Sequence, residues 1–96
     1  MRSRYGAYAL GAADYIMATT HPNNSDYTED TEMWRQSILS FSNTTRFLGL
    51  KIHEFIDGSE EAFVTFEAVL DGGILKEKSR FLKEEGKWLY ESGEFL

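Results

Sequence analysis

The chain has 96 residues, a net charge of −6, an aromatic fraction of 15% and no cysteine. The length suits one domain over residues 1–96, the aromatic content argues against disorder, and the lack of cysteine excludes disulfides, thiolate nucleophiles and cysteine-based zinc sites. No cluster of basic residues suits nucleic acid, and neither a membrane-spanning run nor a signal peptide is visible, so we expect a cytoplasmic protein with no nucleic-acid or membrane partner.

The N-terminal part has the periodicity of helices. Apolar residues recur every three or four positions at Tyr5, Tyr8, Ala9, Ala12 and Ile16. We expect a first helix from about Arg2 that ends at Gly11, and a second over about residues 13–19. Pro22 disfavours helical geometry at His21, so the second helix should end before that residue.

A third helix is predicted after a loop of turn-forming residues at 21–26. Thr28 or Asp30 is the expected N-cap. The apolar stripe of this helix consists of Met33, Trp34, Ile38 and Phe41. Residues 43–45 contain no helix former and are the expected end.

From residue 46 the apolar pattern changes to a period of two, which is typical of strands. The four predicted strands cover residues 46–56, 62–70, 74–84 and 87–93. Glycine-containing turns connect each strand to the next. Helices followed by a four-stranded antiparallel meander indicate an α+β fold, with the helices packed on one face of the sheet.

The alternation also predicts which residues share a side of each strand. In the first strand one side carries Leu48, Leu50, Ile52 and Ile56. In the second it carries Ala62, Val64, Phe66, Ala68 and Leu70. In the third it carries Leu75, Glu77, Ser79 and Phe81, and in the fourth Trp88 and Tyr90.

Several short motifs resemble one protein family. They are Arg-Ser-Arg-Tyr at 2–5, Thr-His-Pro at 20–22, Leu-Gly-Leu at 48–50, Glu-Lys-Ser-Arg-Phe at 77–81 and Gly-Lys-Trp at 86–88. In this order they resemble the YchJ-like middle domain, which is similar to the NTF2-like superfamily. The resemblance covers nearly the whole chain and implies a cone in which a curved sheet wraps a long helix. The chain departs from the family pattern at Thr20 and Phe47, where members usually have Trp.

Longer proteins of this family carry cysteine-rich SEC-C segments, which are zinc-binding by resemblance. The 96 residues contain no cysteine and therefore no such segment. The sequence also begins at a point that lies inside the first helix of longer relatives, which fits either a natural short form or a fragment.

The resemblance implies a ligand pocket between the concave sheet face and the helices. With the strand phases above, the pocket is lined by Trp34, Phe66, Glu77, Ser79, Phe81, Trp88 and Tyr90. Glu77 is the candidate catalytic residue, because a carboxylate held among aromatic rings can act as a general base. The alternative is that Glu77 pairs with a cation such as Arg4 or Arg35 and fixes a helix to the sheet.

The other polar candidates for the pocket have structural alternatives. Arg4, with Arg2 and Tyr5, can bind an anion, but we expect Arg4 to stack on an aromatic ring or to pair with a carboxylate. His21 can serve as a base or a metal ligand. Its spacing from His53 matches no metal motif, so we predict no metal site and prefer an imidazole that caps its own loop.

Three functions are compatible with these residues. The leading interpretation is a non-catalytic accessory module that binds a small-molecule ligand or a protein partner. The second is a lyase- or isomerase-type enzyme that uses the pocket, with Glu77 as general base and a tyrosine as hydrogen-bond donor. The third is a homodimeric scaffold joined through the outer sheet face. No cofactor is predicted, because the chain lacks the glycine-rich loops that bind nucleotides.

Overall fold

A computed structural model describes residues 2–96 and contains three helices followed by four strands. The helices are α1 (Arg2–Leu10), α2 (Ala13–Ala18) and α3 (Thr31–Thr44). The strands are β1 (Phe47–Ile56), β2 (Glu61–Leu70), β3 (Gly73–Glu84) and β4 (Lys87–Phe95). The strands pair antiparallel in the order β1-β2-β3-β4, so the predicted α+β meander is confirmed. No helix within residues 2–96 is long and apolar enough to cross a membrane.

Local sequence determines where the helices begin and end. Gly11 follows α1 with a φ of 71°, a left-handed conformation that glycine adopts without strain. Asp30 is the N-cap of α3, and its carboxylate accepts a hydrogen bond from the backbone N–H of Met33. Of the two expected caps, Asp30 is therefore the one used, while the Thr28 hydroxyl accepts a hydrogen bond from the N–H of Asp30.

Buried apolar residues form one cluster among the helices and another on the sheet. The helical cluster consists of Ala7, Ala13, Ile16, Trp34 and Ile38. The sheet cluster consists of Ala62, Val64, Phe66, Ala68 and Phe81. The predicted apolar stripe of α3 is only half buried, because Met33 is 65% exposed and Phe41 is 42% exposed. These two side chains border the space between the helices and the sheet.

The sheet face that is turned toward the helices has the predicted phase in β2 and β3. Its buried members there are Ala62, Val64, Phe66, Ala68, Glu77, Ser79 and Phe81. In β4, Tyr90 pairs with Phe81 and so lies on the same face. The alternating pattern alone therefore predicted correctly that Glu77 lies on the inner face.

The predicted alternation in β1 is wrong at both ends of the strand. The pairing of β1 with β2 shifts register twice, near its start and after Ile52. Such irregularities reverse the side that the following residues face. Phe47 and Phe55 therefore reach the inner face. Leu48 falls in the first register shift and is 58% exposed, and Ile56 pairs with Phe63 on the outer side of β2, so neither lies where it was expected. Phe55 pairs with the inward-facing Val64 and is itself 61% exposed near the end of the strand.

Candidate functional site

A cavity of about 890 Å³ lies between the inner face of the sheet and the helices α1 and α3. Its apolar wall includes Tyr5, Trp34, Phe47, Phe66, Leu70 and Leu75. Its polar lining includes Arg4, Tyr8, Glu77 and Tyr90, with residues 23–26 at one side. This volume falls in the range of small-molecule sites, roughly 300–1,000 Å³. An apolar wall with a few polar groups is also typical of such sites.

Glu77 on β3 is buried at the polar end of this cavity, with 8% of its surface exposed. Its Oε2 accepts a hydrogen bond from the Ser79 hydroxyl and another, at 3.2 Å, from the Tyr90 hydroxyl. Ser79 is two residues further along the same strand, and its side chain is fully buried. Two neutral donors therefore hold one oxygen of this carboxylate in place.

The ion pair predicted between Glu77 and Arg4 or Arg35 does not form. Among residues 2–96 no cation lies within 4.0 Å of the Glu77 carboxylate. Arg35 instead pairs with Asp14 at 2.6 Å, on the helical side of the molecule. Glu77 is thus a buried carboxylate without a counter-charge from the described part of the chain.

Gly93 on β4 makes room for Glu77 and Tyr90. It pairs directly with Ser79 across the sheet. A Cβ atom at this position would collide with the carboxyl group of Glu77 and would lie 2.5 Å from the Tyr90 hydroxyl. Gly93 is not among the residues predicted from the sequence, although a glycine inside a strand signals that another group approaches the backbone closely.

Arg4 on α1 is the second buried charge of the cavity, with 6% of its surface exposed. Its guanidinium lies over the Tyr90 ring, with Cζ 4.7 Å from the ring centroid. Its Nη1 donates to the Thr19 hydroxyl at 2.6 Å and, at 3.3 Å, to the carbonyl of Ile16 and the hydroxyl of Thr20. Burial lowers the pKa of this guanidinium from its usual value. The predicted stacking on an aromatic ring is confirmed.

Tyr90 connects the two charged residues, because its ring lies against Arg4 and its hydroxyl donates to Glu77. Burial raises the pKa of Tyr90, and the negative charge of Glu77 raises it further. The hydroxyl therefore stays protonated and remains a donor at neutral pH. Tyr8, which also lines the cavity, has a pKa raised by burial, an effect that Arg4 opposes.

His21 does not line the cavity, and its place among the pocket candidates is corrected. Its Nδ1 accepts a hydrogen bond from the backbone N–H of Asn23 at 3.0 Å, and its Nε2 lies 2.9 Å from Oε1 of Glu84. The backbone N–H of His21 donates to the carbonyl of Tyr90 at 2.8 Å. The imidazole caps its own loop, as the structural alternative predicted.

Phe81 and Trp88 line a smaller cavity, of about 220 Å³, instead of the main one. Arg4 borders both cavities. Trp88 is 37% exposed, and the ammonium of Lys83 lies 5.7 Å from its ring centroid. The main cavity thus brings together Arg4, Tyr5, Trp34, Phe66, Glu77 and Tyr90 of the predicted pocket residues. Ser79, which was also predicted to line it, borders neither cavity and contacts Glu77 from a fully buried position. Within residues 2–96, no three His, Asp or Glu side chains are grouped so as to hold a metal ion.

The sequence matches known proteins over its whole length. The model of the YchJ middle NTF2-like domain matches residues 1–93. A UPF0225 protein of Streptomyces coelicolor is 39% identical, over all of this chain and 72% of that protein. A UPF0225 protein of Chromobacterium violaceum is 38% identical, over 97% of this chain and 69% of that protein. A UPF0225 protein of Sodalis glossinidius is 34% identical, over all of this chain and 64% of that protein. The chain therefore spans only part of each of these relatives.

Solved structures share the fold. The solution structure of a SEC-C motif containing protein from Rhodopseudomonas palustris has a TM-score of 0.82 and 31% identity, over all of this chain and 75% of that one. A SEC-C motif containing protein from Psychrobacter arcticus has a TM-score of 0.75 and 25% identity, over 96% of this chain and 56% of that one. A DUF4783 family protein from Bacteroides ovatus is similar in fold alone, with a TM-score of 0.65 and 12% identity over 94% of this chain and 87% of that one.

Proposed function

This chain belongs to the family of YchJ middle NTF2-like domains, and we propose that its cavity binds a small molecule without transforming it. The observation that carries the proposal is Glu77, a buried carboxylate on the wall of an 890 Å³ cavity with no counter-charge in residues 2–96. Burying a charge is costly unless the group is paired and hydrogen-bonded. A ligand that donates to the remaining oxygen, Oε1, would complete the set of partners.

The neighbours of Glu77 favour binding over catalysis. General acid–base chemistry needs a pair of groups whose pKa values lie near the working pH. Of the two donors on Glu77, Ser79 is an alcohol with no base beside it in residues 2–96 except Glu77, and Tyr90 has a pKa that is raised by burial and by Glu77 itself, so the phenol is a poor acid. Neither histidine lines the cavity in the described part of the chain, and both ring nitrogens of His21 are engaged elsewhere. Glu77 and Tyr90 are therefore better suited to hold a ligand than to move protons.

One observation favours a second candidate, a lyase- or isomerase-type enzyme with Glu77 as general base. Ser79 and Tyr90 fix Oε2 and leave Oε1 without a donor among residues 2–96. A fixed carboxylate with one free oxygen has the geometry of a proton acceptor. This candidate differs from the first in one measurable respect, because it requires a product.

A ligand screen by thermal shift tests the proposal, with wild type and Glu77→Gln measured in parallel. The amide keeps an oxygen for Ser79 and Tyr90 but removes the charge, so the variant should fold. A compound at a concentration a hundred times its Kd stabilises the protein by about 2.7 kcal/mol. We expect at least one compound to raise the Tm of the wild type and to lose most of that effect in Glu77→Gln.

Glu84→Gln is the matched control, because Glu84 is a carboxylate of the same strand that lies outside the cavity. This variant should keep the full ligand-induced shift. The proposal fails if no compound stabilises the wild type, or if every compound stabilises Glu77→Gln equally. If the wild type converts a bound compound to a product and Glu77→Gln does not, the protein is the enzyme of the second candidate and the binding proposal is wrong.

A further inference from the structure

We infer that the ligand of the cavity is a small zwitterion, with a carboxylate that binds Arg4 and an amine that binds Glu77. The inference rests on the proposed function, because it names the chemical class that the same cavity takes. It goes further in assigning a second binding group, Arg4, to the opposite charge of the ligand.

Arg4 has hydrogen-bond donors that its contacts with residues 2–96 do not use. Its hydrogen bonds to Ile16, Thr19 and Thr20 all come from Nη1, and the guanidinium also interacts with the side chain of Tyr8, which leaves part of its set of donors for another acceptor. A guanidinium presents its five N–H donors as a planar fork, which matches the two oxygens of a carboxylate. Because Arg4 borders the cavity, that carboxylate can come from a molecule inside it.

The charge of Arg4 has no counter-ion within the described part of the chain. No carboxylate of residues 2–96 lies within 4.0 Å of the guanidinium. Asp26 and Glu91 also border the cavity, but Glu91 is bound to Arg80 and Asp26 lies on the exposed loop. The Tyr90 ring offers only a cation–π contact, which compensates a small part of the desolvation of a buried cation.

Glu77 presents the opposite charge to the same cavity. It is as deeply buried as Arg4, and the two do not pair with each other although both contact Tyr90. The phenol lies between them, with its ring against one and its hydroxyl on the other. A cavity with separate, unpaired groups of opposite charge is complementary to a molecule that carries both charges. The apolar wall of Trp34 and Phe66 would contact the hydrocarbon part of that molecule.

Binding of three six-carbon probes to the wild type tests the inference directly. The probes are 6-aminohexanoate, hexanoate and hexylamine, measured by ligand-observed NMR and calorimetry in a buffer without carboxylates or amines. The series is extended with shorter ω-amino acids and with the α-amino acids. A charge-assisted hydrogen bond is worth enough to change affinity about tenfold or more. We expect at least one zwitterion to bind about tenfold more tightly than either analogue that lacks one of its charges.

Two variants then assign each charged end to its residue. Arg4→Gln should weaken the binding of zwitterions and of hexanoate about tenfold and leave the affinity for hexylamine unchanged. Glu77→Gln should weaken the binding of zwitterions and of hexylamine and leave the affinity for hexanoate unchanged. Because Arg4 also links α1 to α2 by hydrogen bonds, the Arg4→Gln result counts only when the circular dichroism of the variant matches that of the wild type. The comparison of the probes on the wild type does not depend on this variant.

The outcomes separate this inference from the proposed function. Compounds that bind in a Glu77-dependent way, with no gain from a carboxylate, would overturn the zwitterion and leave the binding function intact. Zwitterions that bind equally well to Arg4→Gln and wild type would overturn the role of Arg4. If no molecule of any charge binds the wild type, the proposed function fails and the inference fails with it.

Discussion

His21 and Arg4 are both buried against β4, but their surroundings are opposite. Both ring nitrogens of His21 have protein partners, the backbone N–H of Asn23 and the carboxylate of Glu84. Arg4 donates from Nη1 to Ile16, Thr19 and Thr20 and also interacts with Tyr8, but it has no carboxylate within 4.0 Å in residues 2–96. Buried polar groups normally have hydrogen-bond partners. A complete set of partners therefore indicates a structural role, and an incomplete set indicates that a partner is missing from the described residues.

Tyr90 belongs to both regions and shows how the fold separates them. Its backbone carbonyl and N–H bond to His21 and Thr19, which attaches the loop after α2 to β4. Its side chain instead contacts Arg4 and Glu77. One residue thus contributes its main chain to a region that stabilises the fold and its phenol to a region that faces a cavity. Substitutions in the first region should change stability alone, and substitutions in the second should change ligand binding.

The largest loss of stability is expected from His21→Ala, which removes a buried side chain whose two ring nitrogens both have partners in the protein. The substitution removes the acceptor for the N–H of Asn23, releases Glu84 and leaves a space where the ring was buried. We expect a loss of about 2–3 kcal/mol in the free energy of unfolding, measured with urea. Compounds that bind the cavity should keep their affinity.

Glu84→Gln is the control for His21→Ala, because it keeps an oxygen for the imidazole and lies at a half-exposed position. It should cost less than about 1 kcal/mol. A loss below about 0.5 kcal/mol for His21→Ala, or a loss of ligand affinity with it, would contradict the division between the two regions.

Gly93→Ala should have the next largest effect, because it acts on the region that faces the cavity. The added methyl group meets the Glu77 carboxyl group and the Tyr90 hydroxyl, so one of them must move. We expect a loss of about 1–2 kcal/mol in unfolding free energy, as for overpacking, together with loss of ligand binding. Urea unfolding and the thermal-shift screen measure the two effects.

Gly49→Ala is the matched control in β1, because nothing lies within 4 Å of a Cβ at that glycine. Its stability should stay the same or rise by up to about 1 kcal/mol, since alanine has less freedom in the unfolded chain. If Gly93→Ala behaves like Gly49→Ala and retains ligand binding, Gly93 does not shape the cavity.

Local patterns were enough to predict most of the fold. The change from a period near 3.6 to a period of two gave the order of helices and strands, and the turn-forming residues gave the meander. The alternation failed in β1, because a register shift depends on the pairing of two strands; Gly49, at the first shift, is the one local sign of it, and the second shift, after Ile52, has none. Phe47 and Phe55 therefore exchanged sides with Leu48 and Ile56.

The candidate site was predictable only where it depended on one strand. Glu77 and Ser79 lie on the inner face because of the period of two. Gly93 acquires its role from Glu77 on the neighbouring strand and from Tyr90, and the environment of Arg4 depends on the distant Thr19 and Tyr90. Such contacts arise from the tertiary structure, so residue types and spacing could suggest Arg4 as an anion site but could not show that its counter-charge is missing.

The smallest effect is expected at alkaline pH, from the phenol of Tyr90. Its pKa in the folded protein lies above the ordinary value of 10.0, because of burial first and the charge of Glu77 second, while Arg4 and Tyr8 act on it more weakly. Folding therefore favours the neutral phenol, so this contribution to stability is fully present below about pH 10 and is lost as the pH rises above it. Tyr90→Phe lacks the hydrogen bond to Glu77 and should be less stable by about 1 kcal/mol at neutral pH.

The difference in unfolding free energy between wild type and Tyr90→Phe should consequently shrink as the pH is raised above about 10, because only the wild type has this phenol to ionise on unfolding. Urea midpoints at closely spaced pH values measure the trend, and Glu84→Gln, which leaves the phenol untouched, should follow the wild-type slope. A constant difference across that range would mean that the Tyr90 hydroxyl is open to water. Glu77 would then be hydrated as well, and the cavity would no longer hold a buried charge that needs a ligand.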